Sequence, residues 1–153
     1  MESVWDFPRP PAVAACERPV QVELGATTVA DSDRALRVLE TSHPPTIYIP
    51  MEDVVPGALE PVPGTTFCEF KGRAEYFDVV AGGRRAARAA WHFPDPTPGY
   101  EAITGHVSFF PGRMDACRLG GELVRAQAGD FYGGWITADL TGPFKGPPGT
   151  RGW

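Results

Sequence analysis

The residues of this 153-residue chain that are best suited to chemistry are few, and most sit beside prolines or glycines. Of its 14 basic residues only two are lysines, and both occupy the same tripeptide, Phe70-Lys71-Gly72 and Phe144-Lys145-Gly146. A chain that otherwise uses arginine has kept a compact ammonium where a planar guanidinium fork serves less well. Lys71 suits the binding of an anion or, once desolvated, the formation of a Schiff base. Cys68, three positions earlier, becomes a nucleophile when a neighbouring ammonium lowers its pKa. Along a continuous strand this odd spacing sets the two side chains on opposite faces, and their meeting requires a bulge or turn. His43, ahead of Pro44-Pro45, titrates near neutral pH and suits a proton carrier. Tyr48, Tyr76 and Trp91 can wall a pocket. Arg113 offers a further cation for a ligand, although with Asp115 it shares one side of a strand, where the two can pair. Each of these residues also has a plainer role: an inert buried thiol, a surface lysine, a histidine bonded to its own loop, an aromatic ring in the core.

Other chemistry is missing from the pattern. There is no C-x-x-C pair and no H-x-x-x-H spacing, which argues against a metal or other cofactor. Gly133-Gly134 lacks the Lys-Ser/Thr of a phosphate-binding loop, and no G-x-S-x-G elbow occurs. A net charge of −5, with basic and acidic residues mixed, gives no reason to expect nucleic acid or a membrane surface as partner. Three scattered cysteines, Cys16, Cys68 and Cys117, make a poor disulfide framework and suit a reducing, cytoplasmic setting. The first residues lack the basic and apolar regions of a secretory signal.

The elements that must position these residues are short, since 18 glycines and 17 prolines punctuate the chain. Residues 1–19 read as an extended, proline-rich arm anchored by Trp5 and Phe7. Val20–Leu24 alternates as a half-buried strand, with a turn at Gly25-Ala26 and a return over Thr27–Ala30. Ser32 as a cap, with Ala35, Leu36 and Leu39 at helical spacing, predicts a short helix ending before Pro44. Thr46–Pro50 is β-prone. Residues 51–64, with three prolines, read as a loop with at most one helical turn. Ala74–Val80 and Arg84–Trp91 form a hairpin about Gly82-Gly83, which outweighs the helix propensity of the alanines at 86–90. Strands at 106–110 and 114–119 follow, with a last one over 122–126. Residues 20–128 make one domain. The segment 129–153 keeps Phe131, Tyr132, Trp135, Phe144 and Trp153, too many aromatics for a disordered tail, and is expected to pack on the body. Short strands with one helix predict a mainly β, α+β fold.

Four stretches gather polar and aromatic residues where loops meet strands. They are Glu40-Thr41-Ser42-His43-Pro44-Pro45-Thr46-Ile47-Tyr48-Ile49-Pro50, Thr66-Phe67-Cys68-Glu69-Phe70-Lys71-Gly72-Arg73-Ala74-Glu75-Tyr76, Ala90-Trp91-His92-Phe93-Pro94-Asp95-Pro96 and Gly105-His106-Val107-Ser108-Phe109-Phe110-Pro111-Gly112-Arg113-Met114-Asp115. Taken in order over residues 20–116, they resemble the domain of unknown function 427 family, which has carried a nucleotidyltransferase label without a demonstrated activity. The opening residues 2–11 and the closing Phe131–Trp135 and Gly142–Gly146 resemble its extended members. The resemblance implies a β-tent: two small antiparallel sheets meeting along one edge, as in methionine sulfoxide reductases of the B type and several zinc-binding modules. The two zinc knuckles of those relatives are absent here, so zinc is not carried over. Phe67 stands where the family commonly has a histidine, and Glu69 where it has a proline, which removes a base beside Cys68.

Three functions stay open at this stage. The first is a binding domain for a small polar or anionic ligand held between the sheets, with Tyr48, Tyr76 and Trp91 as walls and His43, Lys71 and Arg113 as polar contacts. The second is an enzyme using Cys68 or Lys71 as nucleophile and His43 as acid and base. The third is a structural module whose terminal segments make a homo-oligomer.

Overall fold

Alternation of burial along Val20-Gln21-Val22-Glu23-Leu24, with the three apolar side chains at most 1% exposed, is the strand pattern the sequence predicts. The computed structural model describes residues 1–129 and 131–153. Among these the chain forms 3-10 turns and fifteen strands, with no α-helix. The strands are β1 (Glu2–Ser3), β2 (Ala12–Ala15), β3 (Val20–Leu24), β4 (Thr27–Ser32), β5 (Leu36–Leu39), β6 (Thr46–Pro50), β7 (Leu59–Cys68), β8 (Gly72–Ala81), β9 (Arg84–His92), β10 (His106–Phe109), β11 (Ala116–Leu119), β12 (Glu122–Leu123), β13 (Arg125–Ala126), β14 (Trp135–Ile136) and β15 (Leu140–Thr141). Seven of them form one antiparallel sheet in the order β2-β5-β6-β10-β9-β8-β7, and four form a second in the order β12-β11-β3-β4. Two ribbons complete the fold, β13 with β14 and the parallel pair β1 with β15. In place of two small sheets there is thus one large sheet, one smaller sheet and a pair of ribbons.

The helix expected after Ser32 is instead β5. The Ser32 hydroxyl accepts the Arg34 N–H at 3.1 Å and donates to Asp53 at 2.6 Å, closing a turn rather than capping a helix. Leu36–Leu39 then inserts between β2 and β6, which satisfies its backbone on both edges. A helix this short would carry its full nucleation cost without that compensation. Much of the expected loop at 51–64 is likewise strand: only Met51–Asp53 makes a 3-10 turn, and β7 starts at Leu59. Pro61 and Pro63 are tolerated because β7 is the sheet's edge, and the register slips between Val62 and Thr65. In β9 the alanine run is broken by Arg88 at φ +46°, whose N–H is held by Asp78 at 2.9 Å.

Side chains alternate across the seven-stranded sheet. Ile47, Ile49, Phe77, Val79, Ala90, Val107 and Phe109 join Val20, Val22, Leu24, Val29 and Leu119 of the smaller sheet in the main core, together with Trp135. The intervening residues Tyr48, Ala74 and Trp91 point the other way, into a second cluster with Phe93, Tyr100, Ile103 and Phe110. A third cluster, Val4, Phe7 and Leu140, packs the two chain ends together with Leu39 and Phe144.

Candidate functional site

The β7–β8 hairpin makes the turn that Cys68 and Lys71 need. Cys68 pairs with Gly72, and Glu69-Phe70-Lys71 closes the loop, with Gly72 at φ +106°, a value only glycine adopts freely. The loop that follows β9 pins this turn from outside: the Thr97 N–H donates to the Lys71 carbonyl at 3.1 Å, and its hydroxyl donates to the Phe70 carbonyl. The Lys71 ammonium and the Cys68 side chain line one cavity and act on each other electrostatically. Burial acts to lower the Lys71 pKa, but Tyr48, Cys68 and Glu40 outweigh it, and the amine sits above its ordinary 10.5. A protonated amine suits holding an anion and is a poor start for a Schiff base.

The wall is a row across the sheet. Tyr76 lies opposite Trp91, and Trp91 Nε1 donates to the Tyr48 hydroxyl at 3.3 Å. The Tyr76 hydroxyl bonds Thr66 at 2.8 Å, while the Arg88 guanidinium stacks 4.2 Å from the Tyr76 ring. Trp91 packs on Phe110 with centroids 4.5 Å apart. Gly133 lies against Trp91 so closely that a Cβ there would come within 2.2 Å of the indole.

His43 comes from the turn between β5 and β6. Its Nδ1 lies 2.9 Å from the Thr41 carbonyl, which only accepts, so Nδ1 carries the hydrogen and the neutral ring keeps Nε2 as acceptor. Burial lowers its pKa from 6.5; Thr41 and Glu40 oppose this, while Lys145 and Arg9 add to it, leaving the imidazole uncharged at neutral pH. Glu40 Oε2 is 3.4 Å from Arg9 and 3.9 Å from His43 Nδ1.

These pieces enclose a cavity of about 260 Å³ whose lining includes His43, Tyr48, Cys68, Lys71, Tyr76 and Trp91. Arg113 is not among its lining residues: its guanidinium stacks behind Phe110 at 4.3 Å and donates to the Arg88 carbonyl at 2.6 Å. Asp115 accepts from the Gly25 N–H at 2.7 Å and lies 3.7 Å from Arg84. The cavity is not between the seven- and four-stranded sheets, where the main core fills the space. It lies on the opposite face of the seven-stranded sheet, and the C-terminal segment closes it. Gln127 lines it just ahead of that segment and Phe131, Tyr132, Gly133 and Lys145 from within it, and sequence reasoning placed none of them at the site. The repeated Phe-Lys-Gly tripeptide was the one available signal. Phe67 and Phe131 stand at the rim, 75% and 65% exposed. The other two thiols, Cys16 and Cys117, are buried, and burial pushes the Cys117 pKa up. Among the described residues no three His, Cys, Asp or Glu side chains meet as a metal site would require.

Residues 12–120 match the family model described as Domain of unknown function (DUF427), a family bearing a nucleotidyltransferase label. The chain belongs to the DUF427 family. No curated protein matches it at a significant level. The DUF427 match ends before Gln127, so the cavity is built on family residues and roofed by residues beyond them.

Proposed function

We propose that this DUF427 protein binds a small ligand with an apolar body and an anionic group in the cavity roofed by the C-terminal segment. The observation that carries this reading is Lys71: a largely enclosed ammonium, at the end of an aromatic wall, in no ion pair among the described residues. An ammonium removed from water with no carboxylate in direct contact is costly, and an anionic ligand supplies that contact. A cavity of about 260 Å³ lies just below the usual range for ligand pockets, which fits a small metabolite-sized occupant. Titration calorimetry with benzoate as probe tests the reading. Benzoate should bind, neutral benzamide should bind about ten-fold more weakly, and Lys71→Met should erase the difference. Equal binding of both probes by the native protein would sink the reading.

A second reading, thiol chemistry at Cys68, draws on the Lys71 ammonium and on His43, which line the same cavity. The fold itself we read as a β-tent, its two leaves being the seven- and four-stranded sheets; their shared core of Val22, Ile49 and Phe109 supports this.

A further inference from the structure

We propose that Lys71 and Lys145 form a two-cation clamp, and that the natural occupant of the cavity is a dianion, its second charge read by the C-terminal segment. This rests on the pocket assignment above and adds the ligand's charge class and the residue that selects for it.

The chain's only two lysines line the same cavity. They enter it from different walls: Lys71 from the β7–β8 turn, beside Cys68 and Tyr48, and Lys145 from the C-terminal segment, beside His43. Eight arginines sit within 4.0 Å of a carboxylate, whereas neither lysine does among the described residues. Each ammonium lies near a ring instead, Lys71 Nζ at 5.7 Å from Phe93 and Lys145 Nζ at 5.5 Å from Tyr132. A ring face attracts a cation but brings no counter-charge. Two carboxylates also line the cavity: Glu40 is engaged by Arg9, and Glu69 is exposed at the edge.

Lys145 is also held with care. Its N–H donates to the Ser42 carbonyl at 2.8 Å, and its carbonyl accepts from Gln127 Nε2 at 2.7 Å. Ser42 is fully buried at φ +71°, and Gln127, 4% exposed, uses its remaining oxygen to accept the Gly134 N–H at 3.1 Å. Buried polar groups are committed to fixing one residue of an irregular segment that lies beyond the DUF427 match. A single negative charge would leave one of the two ammoniums unmatched, and a dianion matches both. A phosphate monoester and a dicarboxylate share this chemistry. The first concentrates both charges on one head, and the second spreads them.

Titration calorimetry at pH 7.5 with phenyl phosphate, phthalate and benzoate separates the outcomes. One dianion should bind the native protein at least ten-fold tighter than benzoate, and the tighter of the two identifies the head group. Lys145→Met should bring that preference to within about three-fold, and Lys145→Arg should retain most of it. If neither dianion outbinds benzoate in the native protein, or if Lys145→Met keeps the preference, the clamp is overturned and the single-anion pocket stands. If none of the three probes binds, the pocket assignment falls with the clamp. Selectivity of the native protein decides the matter even where a Lys145 variant folds poorly.

Discussion

Three thiols in one chain report separately on their surroundings. Cys16 and Cys117 are buried in the main core, where burial raises the Cys117 pKa and bulky reagents cannot enter. Cys68 is only half-buried and lines an open-mouthed cavity, so its accessibility distinguishes it. In the native protein an aromatic disulfide reagent should therefore titrate one thiol, with the other two appearing only on unfolding. Cys68→Ser should abolish the native phase. A native phase that survives this substitution would assign the accessible thiol elsewhere and undo the placement of Cys68 in the wall. A ligand bound in the cavity should slow the same reaction, which makes Cys68 a built-in reporter of occupancy.

At the scale of elements, the cavity depends on a glycine that the sequence marks only as half of a Gly-Gly pair without the residues of a phosphate-binding loop. Gly133 presses its Cα face against Trp91, and a Cβ would sit 2.2 Å from one indole carbon and 2.6 Å from another. Trp91 is itself wedged by Phe110 and Tyr48 and cannot yield freely. Gly133→Ala should therefore cost about 1–3 kcal/mol, the usual price of overpacking, read as a lowered urea midpoint with unchanged slope. A neutral result would mean that the roof moves independently of the wall. The same elements show what was legible beforehand. Strands with period-two alternation, such as β3, and the hairpin about Gly82-Gly83 are local signals and were readable. The apolar spacing of Ala35, Leu36 and Leu39 fits a helix and a strand equally, and only the neighbours β2 and β6 decide between them. Prolines disqualified β7 locally because its place at the sheet edge is not written in its own residues. His43, Lys71 and Trp91 were readable as types with chemistry. The roof was not, since it is joined to them by contacts between residues far apart in the chain, such as Gly133 against Trp91 and Lys145 N–H to Ser42 carbonyl.

Across the whole molecule, the two chain ends meet beside the cavity. β1 pairs in parallel with β15, Trp5 Nε1 donates to the Pro143 carbonyl at 2.8 Å, and Trp5 and Trp153 stack edge to face at 5.4 Å. Arg9 donates to the carbonyls of Thr41 and Trp153. A relay of backbone bonds runs inward from this junction: the Val4 carbonyl accepts the Ser42 N–H at 3.0 Å, and the Ser42 carbonyl accepts the Lys145 N–H at 2.8 Å. Val4 is the fully buried anchor of that relay. Val4→Ala removes two methyl groups from a packed cluster and should cost about 2 kcal/mol. Its second effect is the informative one. A loosened end junction should let the C-terminal segment lift from the seven-stranded sheet, so Cys68 should react several-fold faster than in the native protein at a temperature well below both melting transitions. Local opening of this kind draws on the least stable contacts of a fold, here the short ribbons and turns at the ends rather than the sheets. An unchanged Cys68 rate alongside the expected loss of stability would show that the terminal cluster holds the fold but not the roof, and that the cavity's closure is set by Gln127 and Gly133 alone.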